Sequence, residues 1–435
     1  MRTERQIRTL ADVSLVSHSC KRVLTLFSGG LDSTYVLQQL AHKKTCEVIA
    51  LTVDLGDGVD AEELCKVAAH FNARSVVVDG KEAFANDAVL PAIRANARYM
   101  SMYPISSSLS RPIIARYAVD LADKLGCGAI VHTANQSQNT LRRLNGAIYQ
   151  LGYKGYFGTP YEFSAITREE KIRSLEQNGL AQFQARGVSG DSNLWCREFE
   201  SGSLDNPESF WAPESLFLWT AGSIESVSSQ LSLTFHKGVP TALDGIELPL
   251  VSLIARLNRK VGSFGIGRYS GLEHLEQGEK VLEVREAPAA HILMDAFRQL
   301  ETAILDAELL REKLALEQLW VREAIEGRWY GDLRVAVDSF MAQTARHITG
   351  VVEYQLRSGA ADVCSIRASG ARYLTDRDAW EKAVAAIRGR RSLAEAMHGL
   401  PSATVHGAPL ATAPGLPPTT AHTPLARPEL RVQQP

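Results

Sequence analysis

The sequence predicts an α/β chain: a doubly wound parallel sheet, then a second α+β domain, then a disordered proline-rich tail. Three observations lead there. From about Lys21 to Asn145, strand-like and helical patterns alternate, as they do in parallel β-α-β units with right-handed crossovers. One apolar run, Leu24–Phe27, passes straight into Ser28-Gly29-Gly30-Leu31-Asp32-Ser33 and then into an amphipathic helix. The last stretch, Pro401–Pro435, holds eight of the seventeen prolines, too many for a helix or a sheet ladder.

Taken in order, residues 1–20 read as an N-terminal extension. They mix Arg, Glu and Asp with short apolar pieces and lack the continuous apolar core of a secretory signal. A first domain, 21–170, has strand patterns at Arg22–Phe27, Glu47–Leu55, Ser75–Asp79 and Ala129–Ala134. Helical patterns separate them at Ser33–His42, Asp60–Phe71 and Pro112–Leu125. A doubly wound sheet binds ligands beyond the carboxyl ends of its strands, so the Ser28–Ser33 loop and the His132–Asn145 segment should meet in one cleft. In a second domain, 171–400, strands are expected at Leu231–Phe235, Val351–Arg357 and Val363–Ala368. Helices are expected there at Leu248–Val261, His291–Leu314 and Leu333–Ile348. The tail, 401–435, contains one PxxP match at Pro414–Pro417.

Composition narrows the function. The apolar fraction of 45% and net charge of -2 suit a soluble globular protein without a basic field for nucleic acid. No apolar run reaches the length of a membrane span. The six cysteines form no CxxC pair and no metal-ligand cluster with His, so they read as reduced thiols in a cytoplasmic protein.

The Ser28–Thr34 segment carries the chemistry. Gly29 and Gly30 allow unusual backbone angles and close approach. The first N–H groups of the following helix point at an anion, and Ser28, Ser33 and Thr34 add hydroxyl donors. Asp32 either fixes the loop through backbone hydrogen bonds or holds Mg²⁺ beside the phosphates. The pattern lacks the Gly-Lys-Ser/Thr ending of a Walker loop. It resembles the pyrophosphate (PP) loop of the ATP pyrophosphatases, which cleave ATP to AMP and pyrophosphate.

Downstream segments narrow the resemblance. Ile49–Gly56, Tyr103–Pro112 and Ser189-x-Asp191-x-Asn193-Leu194-Trp195 are similar to segments of the argininosuccinate synthase family. So are Phe235-x-Lys237-Gly238-Val239-Pro240, Gly265–Arg268 and Glu286–Ala289. The likeness runs from about Lys21 to Ser369. It implies a PP-loop nucleotide-binding domain at 21–170 and a synthetase and multimerisation-type domain at 171–400. It also implies an ATP-dependent ligase with ATP and Mg²⁺ as cofactors, Mg²⁺ being held through the phosphates. A citrulline-like ureido oxygen would be adenylated with release of pyrophosphate, and an amine such as aspartate would then displace AMP.

Carried over residue by residue, the resemblance places Asp32 and Arg111 among the catalytic residues. ATP contacts fall at Leu26, Phe27, Ser28, Gly29, Gly30, Leu31, Asp32, Ser33, Thr34 and Thr52. Substrate contacts fall at Tyr103, Ser107, Ser108, Asn135, Asn139, Thr140, Arg143, Ser189, Glu198, Glu273 and Arg285. Arg143 suits a substrate carboxylate and Glu273 a substrate ammonium. The partners implied are small amino-acid substrates, with no nucleic acid or membrane. Homo-oligomerisation stays open, because the family commonly ends in a subunit-clasping helix and a proline-rich ending cannot form one.

Four departures accompany the likeness. The family's Gly-Ala-Thr-Gly-Lys-Gly-Asn-Asp loop reads Thr133-Ala134-Asn135-Gln136-Ser137-Gln138-Asn139-Thr140, without its glycines or lysine. The aspartate-binding Thr and Asp become Asn135 and Thr140, a pocket serine becomes Glu198, and a pocket tyrosine becomes Arg285. The new acid and base either pair with each other or bind opposite ends of a different substrate. These changes point to an altered acceptor amine and an altered ureido substrate. Two other readings are a non-catalytic or regulatory nucleotide-binding relative, and a tRNA sulfur transferase sharing the loop. The latter would want a CxxC or an activated thiolate.

Overall fold

The computed structural model describes residues 5–41, 46–56, 58–180, 188–222 and 224–398; the tail and its PxxP match lie outside the described residues. Six strands form an all-parallel sheet: β1 (Gln6–Ile7), β2 (Arg22–Leu26), β3 (Glu47–Asp54), β4 (Arg74–Asp79), β5 (Ala129–Val131) and β6 (Tyr156–Gly158). Their spatial order is β1-β6-β5-β2-β3-β4. The chain walks outward from β2 to β4 and then returns to the other side of β2. The reversal falls between β2 and β5, where a crevice opens in doubly wound sheets.

Alternation along the strands builds two apolar layers. Val23, Val48, Ala50, Ala129 and Val131 pack with α1 (Leu10–Ser19), α2 (Leu31–Ala41) and α3 (Ala61–His70). Leu24, Ile49, Leu51, Val76, Val78 and Ile130 face the other way. They pack against the helical stretch 81–94, α4 (Ser107–Leu125) and α5 (Thr140–Gln150). Successive side chains point to opposite faces, so strands covered on both sides read as continuous apolar runs.

The segment before Lys21 adds an edge strand and a helix to this sheet. Gly158 allows the docking: a Cβ there would sit 2.1 Å from the carbonyl oxygen of Ile7. The expected helix at Pro112–Leu125 starts earlier, at Ser107, with Pro112 buried inside it. Proline removes one backbone donor without ending this helix.

The second region carries two antiparallel sheets. One is ordered β12-β13-β8-β7, from β7 (Ser189–Ser192), β8 (Arg197–Glu200), β12 (Arg268–His274) and β13 (Lys280–Glu286). The other is ordered β11-β10-β9-β14-β15, from β9 (Ser229–His236), β10 (Val239–Leu243), β11 (Ile246–Glu247), β14 (Gly350–Arg357) and β15 (Ala360–Ala368). Helix α6 (Arg168–Gln177) lies between the regions in sequence. Helices α7 (Leu250–Gly262), α8 (Pro288–Ile304), α9 (Ala307–Ile325) and α10 (Asp332–Ala345) complete the second region. The single helix expected at His291–Leu314 is two. Leu305 and Asp306 are extended, and the Asp306 carboxylate caps α9 by accepting from Leu309 N–H at 2.9 Å. An aspartate at an N-cap favours starting a helix over continuing one.

A further helix lies before the proline-rich stretch. It is α11 (Arg377–His398), in a separate unit that begins at Ala371. Among the described residues, no helix is long and apolar enough to cross a membrane.

Lys313 of α9 is fully buried. Its Nζ donates to the carbonyl of Arg94 at 2.7 Å and pairs with Glu317 at 2.6 Å and Glu301 at 2.8 Å. Removing one partner of a buried pair strands the other charge. Lys313→Met should therefore lower stability by about 3 kcal/mol, read as a lower urea midpoint at unchanged slope. A loss below about 1 kcal/mol would show that Arg298, also paired with both glutamates, compensates alone.

Candidate functional site

The loop between β2 and α2 lies at the carboxyl end of β2, beside the reversal. Thr52 Oγ1 donates to the Phe27 carbonyl at 2.5 Å, and Phe27 N–H donates to Leu51 O at 2.8 Å, which pins where the loop begins. Gly29 has φ +72, and a Cβ there would meet Leu64 Cδ2 at 2.6 Å, so only glycine suits it. Ser28 N–H donates to Ser33 Oγ at 3.3 Å, and Ser33 Oγ–H donates to the Gly30 carbonyl at 3.1 Å. The first N–H groups of α2 have no carbonyl one turn back and face outward with the positive end of the helix dipole. Thr34 is fully buried, and its Oγ1 has no hydrogen-bond partner.

Asp32 does more than shape the loop. Its carboxylate pairs with Lys171 of α6 at 2.8 Å, and its carbonyl accepts from Tyr161 O–H at 3.1 Å. Lys171 and Tyr161 line a cleft of about 420 Å³ with Asn135, Gln136, Glu162 and Ser164. The segment after β5 lines this cleft through Asn135 and Gln136, and the loop adjoins it through the contacts of Asp32 with Lys171 and Tyr161. A smaller hollow at the opposite ends of these strands, by Ala41 and Asn72, carries no comparable chemistry.

The 133–140 segment is tied down by its own side chains. Gln136 donates to Glu162 O at 2.6 Å, Gln138 to Glu200 Oε1 at 2.6 Å, and Asn139 to Glu273 Oε1 and His274 O, each at 2.8 Å. His132, at the end of β5, hydrogen-bonds Asn145 at 2.9 Å. Burial pushes its pKa down to about 4 against the Asn145 bond, with nearby Arg111 adding to the drop, so it stays neutral. Arg111 pairs with Asp191 of β7 at 2.9 Å.

A second group of the expected residues forms a buried charge cluster. Arg143 pairs with Glu273 at 2.5 Å, donates to Ser107 Oγ at 2.7 Å and donates to the Ile325 carbonyl at 3.0 Å. Arg285 pairs with Glu198, Glu283 and Glu273, the last at 3.3 Å, and donates to the Pro104 carbonyl at 3.0 Å. Its guanidinium lies 4.4 Å from the centroid of the Tyr103 ring. The Glu198 carboxylate accepts from Ser107 N–H at 3.2 Å. Glu198 and Arg285 face each other across β8 and β13, so the new acid and new base do pair. Tyr103 O–H is buried without a partner. Ser108 is buried in the first turn of α4, and Thr140 is half-buried at the start of α5. Ser189 is exposed on the outer strand β7, away from the buried group.

The cluster holds three carboxylates, Glu198, Glu273 and Glu283, against two guanidiniums. Burial works to raise Glu273, but Arg143 and Arg285 outweigh it and hold the pKa below the usual carboxylate range. Burial raises Glu198 despite Arg285. It pushes Glu283 up to about 8, again against Arg285.

Sequence reasoning missed Lys171, Tyr161 and Glu283. For Lys171 the signal was present: Thr167-x-x-Glu170 is a capping box, and Lys171 and Leu175 lie one turn apart on the buried side of the helix that follows.

Comparisons with known proteins agree with this architecture. Residues 22–181 match the arginosuccinate synthase N-terminal HUP domain, and residues 188–388 match the arginosuccinate synthase C-terminal domain. The argininosuccinate synthase of Dictyoglomus turgidum is 35% identical over 342 residues, covering 77% of this chain and 85% of that protein.

This chain belongs to the argininosuccinate synthase family.

The family's enzyme from Rubrobacter xylanophilus is 36% identical over 82% of this chain and 88% of its own length. That from Pyrococcus furiosus is 33% identical over 83% and 88%. The chain is thus an ATP-using ligase of the kind that forms C–N bonds. Among solved structures, a U34-tRNA thiolase from Methanococcus maripaludis overlaps at TM-score 0.27 and 15% identity, covering 40% of this chain and 64% of its own. Similarity that low carries no argument.

The cluster predicts a pH dependence. Glu283 in the folded chain keeps its proton up to about pH 8, whereas an unfolded glutamate loses it near its ordinary value. The raised pKa therefore contributes stability at low pH that is lost as pH rises through this window. Glu283→Gln should show a flatter stability profile between about pH 5 and 8 in denaturant titrations. An unchanged slope would contradict the assignment.

Proposed function

We propose that this chain adenylates the oxygen of a ureido substrate with ATP and then joins the activated carbon to an amine, with both substrates altered from citrulline and aspartate. The ureido oxygen attacks the α-phosphorus, the bond to the bridging oxygen breaks, and pyrophosphate leaves. The amine then attacks the ureido carbon and AMP departs. The observation that carries this reading is the Gly29 loop at the start of α2, joined through the Asp32–Lys171 pair to the neighbouring 420 Å³ cleft. The chain's part in the first step is positioning and neutralisation of charge.

For the nucleotide, residues Leu26–Thr34 and Thr52 make the cradle. The half-exposed Asp32 carboxylate fits a magnesium ion carried by the phosphates, which would neutralise charge on the leaving pyrophosphate. Arg111, near the start of α4 and close to His132, is proposed to face the reacting region.

Substrate change rests on the buried cluster. Arg143 and Glu273 would clamp the two charged ends of an α-amino acid, yet here they satisfy each other and Arg285. Arg285 and Glu198 therefore select the ureido substrate. Thr140 offers no carboxylate for the ammonium of an incoming aspartate. The six cysteines are all free, which fits work in the reducing cytoplasm.

A second reading is a non-catalytic nucleotide-binding relative. The internally neutralised clamp favours it.

ATP–pyrophosphate exchange across a panel of ureido compounds and amines tests the choice. We expect exchange with a ureido compound other than citrulline. Robust argininosuccinate formation from citrulline and aspartate would refute the substrate change. Nucleotide binding with no exchange on any compound would favour the non-catalytic reading.

A further inference from the structure

Lys171 is held with unusual care for a lysine. The capping box fixes the start of α6, with Thr167 N–H donating to Glu170 Oε2 at 2.8 Å and Glu170 N–H to Thr167 Oγ1 at 3.2 Å. One turn further on, α6 docks along α2. Gln38 Nε2 donates to Ser174 O, and Ser174 Oγ–H donates to Gln38 Oε1, both at 3.1 Å. Lys171 is thereby fixed on the helix face toward the loop. Its stem is buried, and its Nζ lies 2.8 Å from Asp32 Oδ1 and 4.1 Å from the centroid of the Tyr161 ring.

A plain structural role accounts poorly for this arrangement. Asp32 is 42% exposed, and a pair with one partner that open to water contributes at most about 1 kcal/mol. Lysines are seldom buried to this degree. The pair also faces a cleft, where a ligand has room to compete for the ammonium.

Charge at the cleft says which ligand. Lys171 is the one cation among the cleft-lining residues. The loop 28–34 has no basic residue and carries the negative Asp32, and the segment 133–140 has no basic residue either. A triphosphate arriving at the start of α2 meets backbone N–H groups worth roughly half a positive charge, and it meets a carboxylate. Even with magnesium bound, a triphosphate keeps a net negative charge, which a mobile cation at the cleft would offset. A lysine ammonium on a flexible stem suits the task, because it changes partner without moving the backbone.

We propose that Lys171 is a phosphate-binding residue of this cleft, whose ammonium turns from Asp32 to the β- and γ-phosphate oxygens of the nucleotide and stays with pyrophosphate as it leaves. The proposal rests on the reading of the Ser28–Thr34 loop as the ATP cradle. It assigns the polyphosphate contact to α6, outside both loops.

The test compares ATP, inorganic pyrophosphate and AMP, each with magnesium, by calorimetric titration of the full chain. Lys171→Met should weaken ATP and pyrophosphate by at least about tenfold, the range for a hydrogen bond to a charged group, and leave AMP within about twofold. Lys171→Arg should recover most of the loss. Equal weakening of all three ligands would mean a merely structural lysine and would overturn the proposal, as would unchanged ATP and pyrophosphate binding. If the unaltered chain binds none of the three, the cradle reading itself fails and the proposal falls with it.

Discussion

The constraint on which the rest depends is how short the passage is from β2 into α2. Leu26 ends the strand and Leu31 starts the helix. Four residues must reverse the chain beneath Leu64 and beside Leu51. Gly29 answers with a positive φ that no larger residue could adopt there without striking Leu64. The tight turn leaves the first N–H groups of α2 without protein acceptors, facing the crevice that the strand reversal opens between β2 and β5. The proposed anion recognition at this point would thus follow from backbone geometry. Ser33 and Thr52 hold the loop in shape through hydrogen bonds to its backbone, and Lys171 reaches it through Asp32.

Near that point the chain carries a buried cluster of charged residues. Arg143 and Ser107 come from the parallel-sheet region, and Glu198, Glu273, Glu283 and Arg285 from the antiparallel one, so the cluster bolts the two regions together. Burying so many charges is tolerable only because each has opposite charges or backbone groups within reach. The same pairing sets a threshold for any ligand, which must offer Arg285 or Glu273 at least as much as they give each other. On the proposed function, a zwitterion that only replaces existing pairs would gain little.

Much of the fold was legible because burial on both faces of a parallel sheet makes its strands apolar throughout. Arg22–Leu26 and Glu47–Asp54 stand out for that reason. Gly29 and Ser33 were equally plain, since a turn this tight restricts residue type locally. The break at Leu305–Asp306 was not legible. Apolar periodicity continues across it, and only the capping behaviour of Asp306 divides the helix. The start of α4 was misplaced because proline at a first turn and proline inside a helix look alike in one sequence. Of the site, Glu198 and Arg285 were visible as departures, but their pairing depends on the register of β8 against β13, which no local pattern encodes. For Lys171 the helix and its buried side were legible, but its pairing was not, because its partner Asp32 lies far away in sequence. The contact arises from α6 docking on α2.

The most direct measurement of the central claim is a crystal structure of the full chain with magnesium and a non-hydrolysable ATP analogue. The account predicts phosphate oxygens seated on the backbone N–H groups near Gly29 and Gly30, with the nucleotide reaching into the cleft between Asp32 and Asn135. A nucleotide bound at another place, or a loop whose N–H groups make no phosphate contact in the complex, would contradict it.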